Sequence, residues 1–337
     1  MSQFKERFLP RICADLSIDG TAFSGVFPCT PIQEGMLSQF ITSNGQLYFN
    51  HMLFRLAPEV DEARLRAAWR AVSGALDILR SGFVAVDGEG DRAHSFAMVT
   101  YRRLVFSPPW VGVDGDDVRE LVEEHKTLAA ADAFQQLHLP PWRLTFIRAA
   151  SACHLLFSGL HALYDAASLQ YIFADVSAHY YGHSSATGRP HFGPVLQDIV
   201  SHAVHQPTTE ADRTFWLQQL QASTICRLPN LCPVQRTTDD ASFHSKELHS
   251  AWTLASIEAA CQRSGISLHA AGQAAWARLL AAYTGEAVVT LGVVFSGRTG
   301  LDSSSAPSPS AGVVFPCLVT LPSVCALDDG KTNLQLA

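Results

Sequence analysis

The most informative stretch of this 337-residue chain is residues 153–168, which read CHLLFSGLHALYDAAS. The apolar residues up to Phe157 predict a strand, and the small residues around His161 predict a tight turn after it. Asp165 then stands at the start of a predicted helix over 166–181, where a carboxylate can cap free backbone N–H groups. A strand end followed by a tight turn would hold the imidazole of His161 rigidly.

An imidazole in this position suits proton transfer, because its unperturbed pKa of about 6.5 lies near neutrality. The spacing His-x-x-x-Asp-x-x-Ser, from His161 to Ser168, is by itself a weak signal, since such spacings arise often by chance. Two interpretations therefore stand side by side. His161 is either a general acid–base group, or a turn histidine with Asp165 serving only as a helix cap.

Outward from this segment, the chain predicts a mixture of helices and strands. Apolar residues recur at helical spacing after Asp61, a suitable N-cap: Leu65, Ala68, Trp69, Val72 and Leu76. Strands are predicted over 48–56, 79–86, 143–148 and 287–295, helices over 116–130, 254–264 and 268–284, a turn over 87–90 and an exposed loop over 302–310. The mixture favours an α/β or α+β fold with an N-terminal lobe over 20–185, a linker over 186–210 and a C-terminal lobe over 211–337.

Composition excludes several classes of protein. Hydrophobic residues make up 47% of the chain and charged residues 16%, which excludes a disordered protein. The 24 Lys and Arg against 31 Asp and Glu give a net charge of −7, which argues against a nucleic-acid partner. The sequence shows no secretory signal and no apolar stretch of membrane-spanning length, so we expect a cytoplasmic protein without a membrane partner.

Cysteine and histidine spacings predict free thiols and no metal site. The eight cysteines are scattered without a CxxC pair. The nearest candidates for metal ligands are pairs that lack a matching second pair: His202 with His205, His244 with His249, and Cys226 with Cys232.

Several short motifs appear in a fixed order along the chain. They are PCTPIQEGML at 28–37, DILRSGF at 77–83, PWRL at 141–144, YTGE at 283–286, LGVVFSGRT at 291–299, and Pro316-Cys317 with TLP at 320–322. As a collinear set they resemble the condensation domains of nonribosomal peptide synthetases. The motif sequences are most similar to those of fungal hydroxamate-siderophore synthetases. His161 and Asp165 fall on the second His and the Asp of that family's HHxxxDG core.

The resemblance implies a chloramphenicol acetyltransferase-like fold of two lobes and an amide-forming reaction. An amine on an acceptor peptidyl carrier protein attacks a thioester on a donor carrier, and an adenylation domain lies adjacent. The substrates ride on the carriers' 4'-phosphopantetheine arms, and no cofactor is expected on this chain itself. His161 would either take the proton of the attacking ammonium or hydrogen-bond the tetrahedral intermediate.

The resemblance also implies supporting residues. Asp165 is expected to pair with Arg80. The resemblance also implies a tunnel between the lobes that admits the phosphopantetheine arms, and four residues are expected along it: Ala166, Ser168, Ser296 and Arg298. For Arg298 the functional interpretation is a tunnel-wall or lobe-bridging residue, and a surface turn arginine is the alternative. The family pattern is altered at Leu160, Ala166, Phe315 and Val319, and the chain ends early enough that we expect an incomplete second lobe.

Three hypotheses about function follow. The first is a peptide-bond-forming condensation domain that uses His161 in fungal siderophore or other secondary-metabolite peptide biosynthesis. The second is a degenerate, non-catalytic module that binds carrier proteins, favoured by the altered motif positions. The third is a stand-alone acyltransferase that takes its acyl group from acyl-CoA.

Overall fold

The computed structural model describes residues 2–86, 94–183, 188–205, 209–223, 226–227, 229, 248–298, 311–327 and 330. They belong to two compact units. One comprises Met1–Gln206 with Ser296–Val319, and the other comprises Pro207–Phe295 with Thr320–Ala337. Within the described ranges, no helix is both long and apolar enough to cross a membrane.

The described residues form nine α-helices and nine strands. The helices are α1 (Ser2–Leu16), α2 (Pro31–Thr42), α3 (Glu62–Ala75), α4 (Val118–Gln135), α5 (Ala166–Tyr181), α6 (Gly193–His205), α7 (Glu210–Ala222), α8 (Leu254–Arg263) and α9 (Leu268–Thr284). The strands are β1 (Phe23–Pro28), β2 (Phe49–Arg55), β3 (Ser81–Ala85), β4 (Phe96–Tyr101), β5 (Trp110–Asp114), β6 (Trp142–Arg148), β7 (Cys153–Leu160), β8 (Val288–Ser296) and β9 (Leu318–Ala326).

The first unit is built on two sheets. One has the strand order β1-β4-β3, with antiparallel pairs, and the other has the order β2-β7-β6-β5, in which only the β5–β6 pair is parallel. Strand β7 lies inside the second sheet, and its last six residues are buried. Trp69 of α3 stacks on Phe157 of β7 with ring centroids 6.0 Å apart. The strand that leads to His161 is therefore held by hydrogen bonds on both edges and by aromatic packing.

Local signals in the sequence predict most of these elements correctly. Helix α3 begins after Asp61, whose carboxylate accepts the N–H of Arg64 at 3.0 Å, as expected for an N-cap. The observed strand β3 is shorter than the strand predicted over 79–86, because Asp77–Arg80 form a 3-10 turn before it. The predicted turn at 87–90 and the predicted loop at 302–310 lie outside the described residues.

Part of the stretch predicted as a linker is helical. Helix α6 begins at Gly193, and Val195 and Leu196 of this helix are buried in the main core of the first unit. Residues 296–319, which the prediction assigns to the C-terminal lobe, group with the first unit. The lobe boundaries themselves stay a prediction.

The second unit has its own small core. Helices α7, α8 and α9 belong to it, and strands β8 and β9 form a two-stranded sheet. The cluster of buried apolar side chains in this core comes from α9 and β8: Ala277, Leu280, Val289, Leu291 and Val293. The prediction of two helices followed by a dense strand in this part of the chain is confirmed.

Gly82 in β3 offers a test of how closely the first unit is packed. A Cβ atom there would collide with the backbone carbonyl groups of His138 and Leu139, whereas a Cβ at Gly35 in α2 meets no atom within 4 Å. We expect Gly82→Ala to lower the free energy of unfolding by about 1–3 kcal/mol, because backbone cannot move aside cheaply. The matched control, Gly35→Ala, should be neutral or stabilising by about 1 kcal/mol, since alanine favours helix. Urea denaturation compares the two, and equal stability would contradict this account of the packing.

Candidate active site

His161 stands where β7 meets a single 3-10 turn, His161–Leu163, ahead of α5. Its backbone N–H donates to the carbonyl oxygen of Tyr48 at 2.8 Å. Its ring stacks nearly parallel on the ring of Tyr164, with centroids 5.1 Å apart and an angle of 12°. The predicted strand, turn and helix around the imidazole are therefore present, and both main chain and ring are held.

The hydrogen bond at Nδ1 sets the tautomer of the imidazole. Nδ1 of His161 lies 2.8 Å from the carbonyl oxygen of Tyr164. A carbonyl oxygen only accepts, so Nδ1 carries the proton and Nε2 of the neutral ring presents a lone pair. Within the described part of the chain no hydrogen bond occupies Nε2. This nitrogen can accept a proton from a substrate.

Tyr164 supports the imidazole as a neutral platform. Only 2% of its surface is exposed, and its hydroxyl donates to the carbonyl oxygen of Gly159 at 3.2 Å. Burial raises the pKa of Tyr164 to about 12, while a hydrogen bond with Asn50 acts in the opposite direction. The phenol therefore stays protonated at neutral pH and adds no charge beside His161.

Asp165 is the centre of a buried ion pair with Arg298. Nε of Arg298 lies 2.9 Å from Oδ2 and Nη2 lies 2.8 Å from Oδ1, the two-pronged geometry that planar guanidinium groups favour. The carboxylate also accepts the N–H of Ser168 at 2.8 Å, which caps α5, and the N–H of Cys317 at 3.1 Å. Both oxygens are thus fully engaged inside the first unit.

These contacts keep the pair charged despite burial. Burial alone opposes ionisation of Asp165, but the hydrogen bonds from Arg298, Ser168 and Cys317 outweigh it and hold the pKa of the carboxyl below its usual range. The neighbouring Cys317 thiol is different, because burial raises its pKa to about 11. The cluster is therefore a carboxylate and a guanidinium beside a neutral thiol.

The predicted pairing of Asp165 with Arg80 is wrong. Arg80 is buried, with 5% of its surface exposed, but it binds the Asp77 carboxylate three residues earlier and the carbonyl oxygen of Tyr101. Asp77 is also bound by Nε2 of His191 at 3.0 Å. Arg80 therefore finds its counter-charge on the same 3-10 turn, while its buried Nε has no hydrogen-bond partner among the described residues. Asp165 pairs with Arg298 instead.

The residues predicted for the tunnel occupy different environments. Ser168 is fully buried, and its hydroxyl accepts the N–H of Phe315 at 3.0 Å, so it belongs to the Asp165 cluster and does not line an open passage. Arg298 is bound to Asp165 and is neither a surface turn arginine nor an open wall residue. Ala166 is exposed as the first residue of α5, and its helical backbone does not need glycine there. Ser296 is exposed too, and a tunnel role for these two stays a prediction.

The metal candidates do not assemble in the described part of the chain. Among those residues no group of three or more His, Cys, Asp or Glu side chains could hold a metal ion. His244 and Cys232 lie outside the described residues, as does the side chain of His205. The seven cysteines that the structure describes are free thiols, in line with the prediction.

Sequence reasoning missed the role of Gln33. This side chain is fully buried at the start of α2, and its Nε2 donates to the carbonyl oxygen of Ala162 at 2.9 Å. Thr30 and Gln33 form a capping box, a pattern visible in the sequence that indicates a helix start. It does not indicate a contact with the active-site turn 129 residues later in the chain.

Comparison with known proteins identifies the family. A family model for the condensation domain matches residues 24–332. The chain is 34% identical, over 99% of its length, to nonribosomal peptide synthetase Ao415 of Arthrobotrys oligospora, and 27% identical, over 90% of its length, to the hydroxamate-type ferrichrome siderophore peptide synthetase of Schizosaccharomyces pombe. It spans only 9% and 6% of the lengths of these two relatives.

A solved structure agrees at the level of the fold. The first condensation domain of the calcium-dependent antibiotic synthetase, solved with a substrate analogue, aligns with a TM-score of 0.65 at 17% identity, over 93% of this chain and 72% of that one. The chain belongs to the condensation-domain family. The predicted family and the predicted mixed α/β, chloramphenicol acetyltransferase-like fold are both confirmed.

The ion pair can be tested by a double-mutant cycle. We expect Asp165→Asn to cost about 3–5 kcal/mol of unfolding free energy, because it leaves the Arg298 guanidinium buried without its counter-charge. Combined with Arg298→Gln it should show a coupling energy of about 2–3 kcal/mol, whereas combined with Arg80→Gln it should be additive within about 0.5 kcal/mol. Urea denaturation measures all variants, and coupling to Arg80 in place of Arg298 would overturn the assignment.

The same carboxylate predicts how stability depends on pH. Because folding lowers the pKa of Asp165, its stabilisation is complete above the unfolded value of about 3.9 and is lost as pH falls through the folded value. The stability gap between wild type and Asp165→Asn should therefore be constant from pH 7 to 5 and shrink below about pH 4. Asp132→Asn is the matched control, since Asp132 pairs with Arg143 but is half exposed and should matter by less than about 1 kcal/mol. A gap that widens in acid would contradict the prediction.

Proposed function

We propose that this chain forms amide bonds as a condensation domain of a fungal nonribosomal peptide synthetase of the siderophore-producing type. The observation that carries the proposal is the held imidazole of His161, with Nδ1 bound to a carbonyl oxygen and Nε2 carrying a lone pair. The matched family and the names of the fungal relatives support the reaction class and the siderophore context.

The proposed reaction needs little from the protein besides positioning and one proton transfer. The amine of the acceptor attacks the thioester carbonyl of the donor, a C–N bond forms, the C–S bond breaks, and the proton lost by nitrogen is returned to the leaving thiolate. Nε2 of His161 either takes that proton or hydrogen-bonds the tetrahedral intermediate. A thioester is already activated, so a rigid imidazole suffices in both versions.

The proposed partners follow from this reaction. Donor and acceptor peptidyl carrier proteins would present the substrates on 4'-phosphopantetheine arms, and an adenylation domain would lie adjacent. The chain itself would bind no cofactor. We propose the cytoplasm as the compartment, where loaded carriers of such a synthetase would be present together.

A non-catalytic carrier-binding module is the second candidate, and one observation favours it. Leu160 stands at the place of the first His of the family core and is fully buried. A single imidazole is therefore available in this motif of the chain. The stand-alone acyltransferase that uses acyl-CoA is the third candidate, and it predicts activity without carriers.

Replacing His161 tests the proposed chemistry directly. We expect His161→Ala to lower the rate of amide formation by about 10²–10⁴-fold, the usual contribution of a positioned acid–base group. The measurement is mass spectrometry of products after mixing the chain with a loaded donor carrier and a loaded acceptor carrier. His202→Ala is the matched control, because this histidine lies exposed on α6, and its rate should equal that of the wild type.

Three outcomes separate the candidate functions. Product from carrier-bound donor that disappears in His161→Ala supports the condensation domain. Carrier binding without product from the wild type supports the non-catalytic module. If an acyl-CoA donor and a free amine give as much product as the carrier-bound substrates, the stand-alone acyltransferase is supported. Wild-type rates in His161→Ala would overturn the role of this residue.

A further inference from the structure

We propose that Gln33 is a positioning residue for His161: its buried amide holds the turn that carries the imidazole. The proposal rests on the proposed function for its kinetic consequence, but its structural consequence can be measured without any activity. Gln33 touches the turn from helix α2, far away in the sequence, and no part of it reaches the surface.

The contact is made to the residue next to His161. Nε2 of Gln33 donates to the carbonyl oxygen of Ala162 at 2.9 Å. Ala162 is itself fully buried, so water cannot replace the amide at that carbonyl. A buried carbonyl left without a donor is costly, and loss of the amide would favour a rearranged turn.

The orientation of the amide is determined by its partners. Ala162 presents a carbonyl oxygen, which only accepts, and Thr30 presents a backbone N–H, which only donates to Oε1 of Gln33 at 3.0 Å. A flipped amide would place acceptor against acceptor and donor against donor. The side chain therefore joins two main-chain groups in one arrangement.

The helix that carries Gln33 is firmly attached. The Glu34 carboxylate accepts the N–H groups of Ser95 and Phe96 at 3.0 and 3.2 Å, at the start of β4. Met36 and Leu37 are buried in the main core. Helix α2 therefore holds the Gln33 amide in a fixed position.

Gln33 completes a set of contacts around the imidazole. The His161 N–H is held by the Tyr48 carbonyl, and Nδ1 is held by the Tyr164 carbonyl, each at 2.8 Å. Tyr48, which supplies the first of these carbonyls, has a left-handed backbone with φ 62°, and this conformation is strained for a bulky residue. Without Gln33 the peptide after Ala162 can rotate, and the shift reaches Nε2 because the 3-10 turn is one short unit. Misplacement by about 1 Å can cost about 10²-fold in rate.

The test uses Gln33→Met, which keeps the side-chain volume and removes the hydrogen bonds of the amide, including those with the Ala162 carbonyl and the Thr30 N–H. We expect kcat for amide formation to fall by about 10- to 100-fold while KM for either loaded carrier stays within about twofold, because Gln33 is fully buried. Thr30→Val is the matched control. It removes the hydroxyl of the same capping box, with its 3.3 Å contact to Oε1 of Gln33, but keeps the Thr30 N–H on Oε1 and the Gln33 amide on Ala162. It should therefore be less stable than wild type with an unchanged kcat.

A second measurement reports on the imidazole itself. Long-range ¹H–¹⁵N NMR of the histidine side chains should show His161 as one Nδ1–H tautomer in wild type and in Thr30→Val, and as a mixture or a shifted signal in Gln33→Met. If Gln33→Met does not fold, Gln33→Leu, which also lacks a donor for the Ala162 carbonyl, takes its place. An unchanged His161 signal together with an unchanged kcat would overturn the proposal, as would an equal loss of kcat in Thr30→Val. A wild type without condensation activity would refute the proposed function only, since the NMR result would still decide the role of Gln33.

Discussion

The buried pair of Asp165 and Arg298 joins parts of the chain that are 133 residues apart. Two charges removed from water are stable only when they face each other with their remaining hydrogen bonds filled, and this pair meets that condition through Ser168 and Cys317. The carboxylate caps α5, and the guanidinium binds the carbonyl oxygen of Phe315 at 2.7 Å. The start of the helix and the returning segment therefore depend on one interaction.

The buried charged pair and the proposed acid–base group are separate on this short stretch of chain. Both carboxylate oxygens of Asp165 bind Arg298, whereas His161, four residues earlier, is held by neutral partners. The backbone carbonyls of Tyr48 and Tyr164 set its position and its tautomer without adding charge. Such an arrangement suits a reaction whose substrate is already activated, because placing the amine matters more there than a strong base.

Much of the fold is visible in local sequence because local forces make it. Helix α3 follows from apolar spacing after Asp61, and β7 follows from the apolar residues Leu155–Phe157, which precede small residues. His161 is recognisable because it stands between that strand and a capped helix. Each of these inferences uses only residues that are near one another in the chain, where spacing reports directly on which face is buried.

The sequence by itself determined many of the helices and strands in both halves, the place of His161 and the family. Only the tertiary structure decided which partners meet: Arg298 and not Arg80 for Asp165, a buried place for Ser168, and the amide of Gln33 for the turn. Arg80 already pairs with the carboxylate of Asp77 on its own turn. Contacts between residues far apart in the sequence depend on how the whole chain folds, and local residue spacing does not predict them.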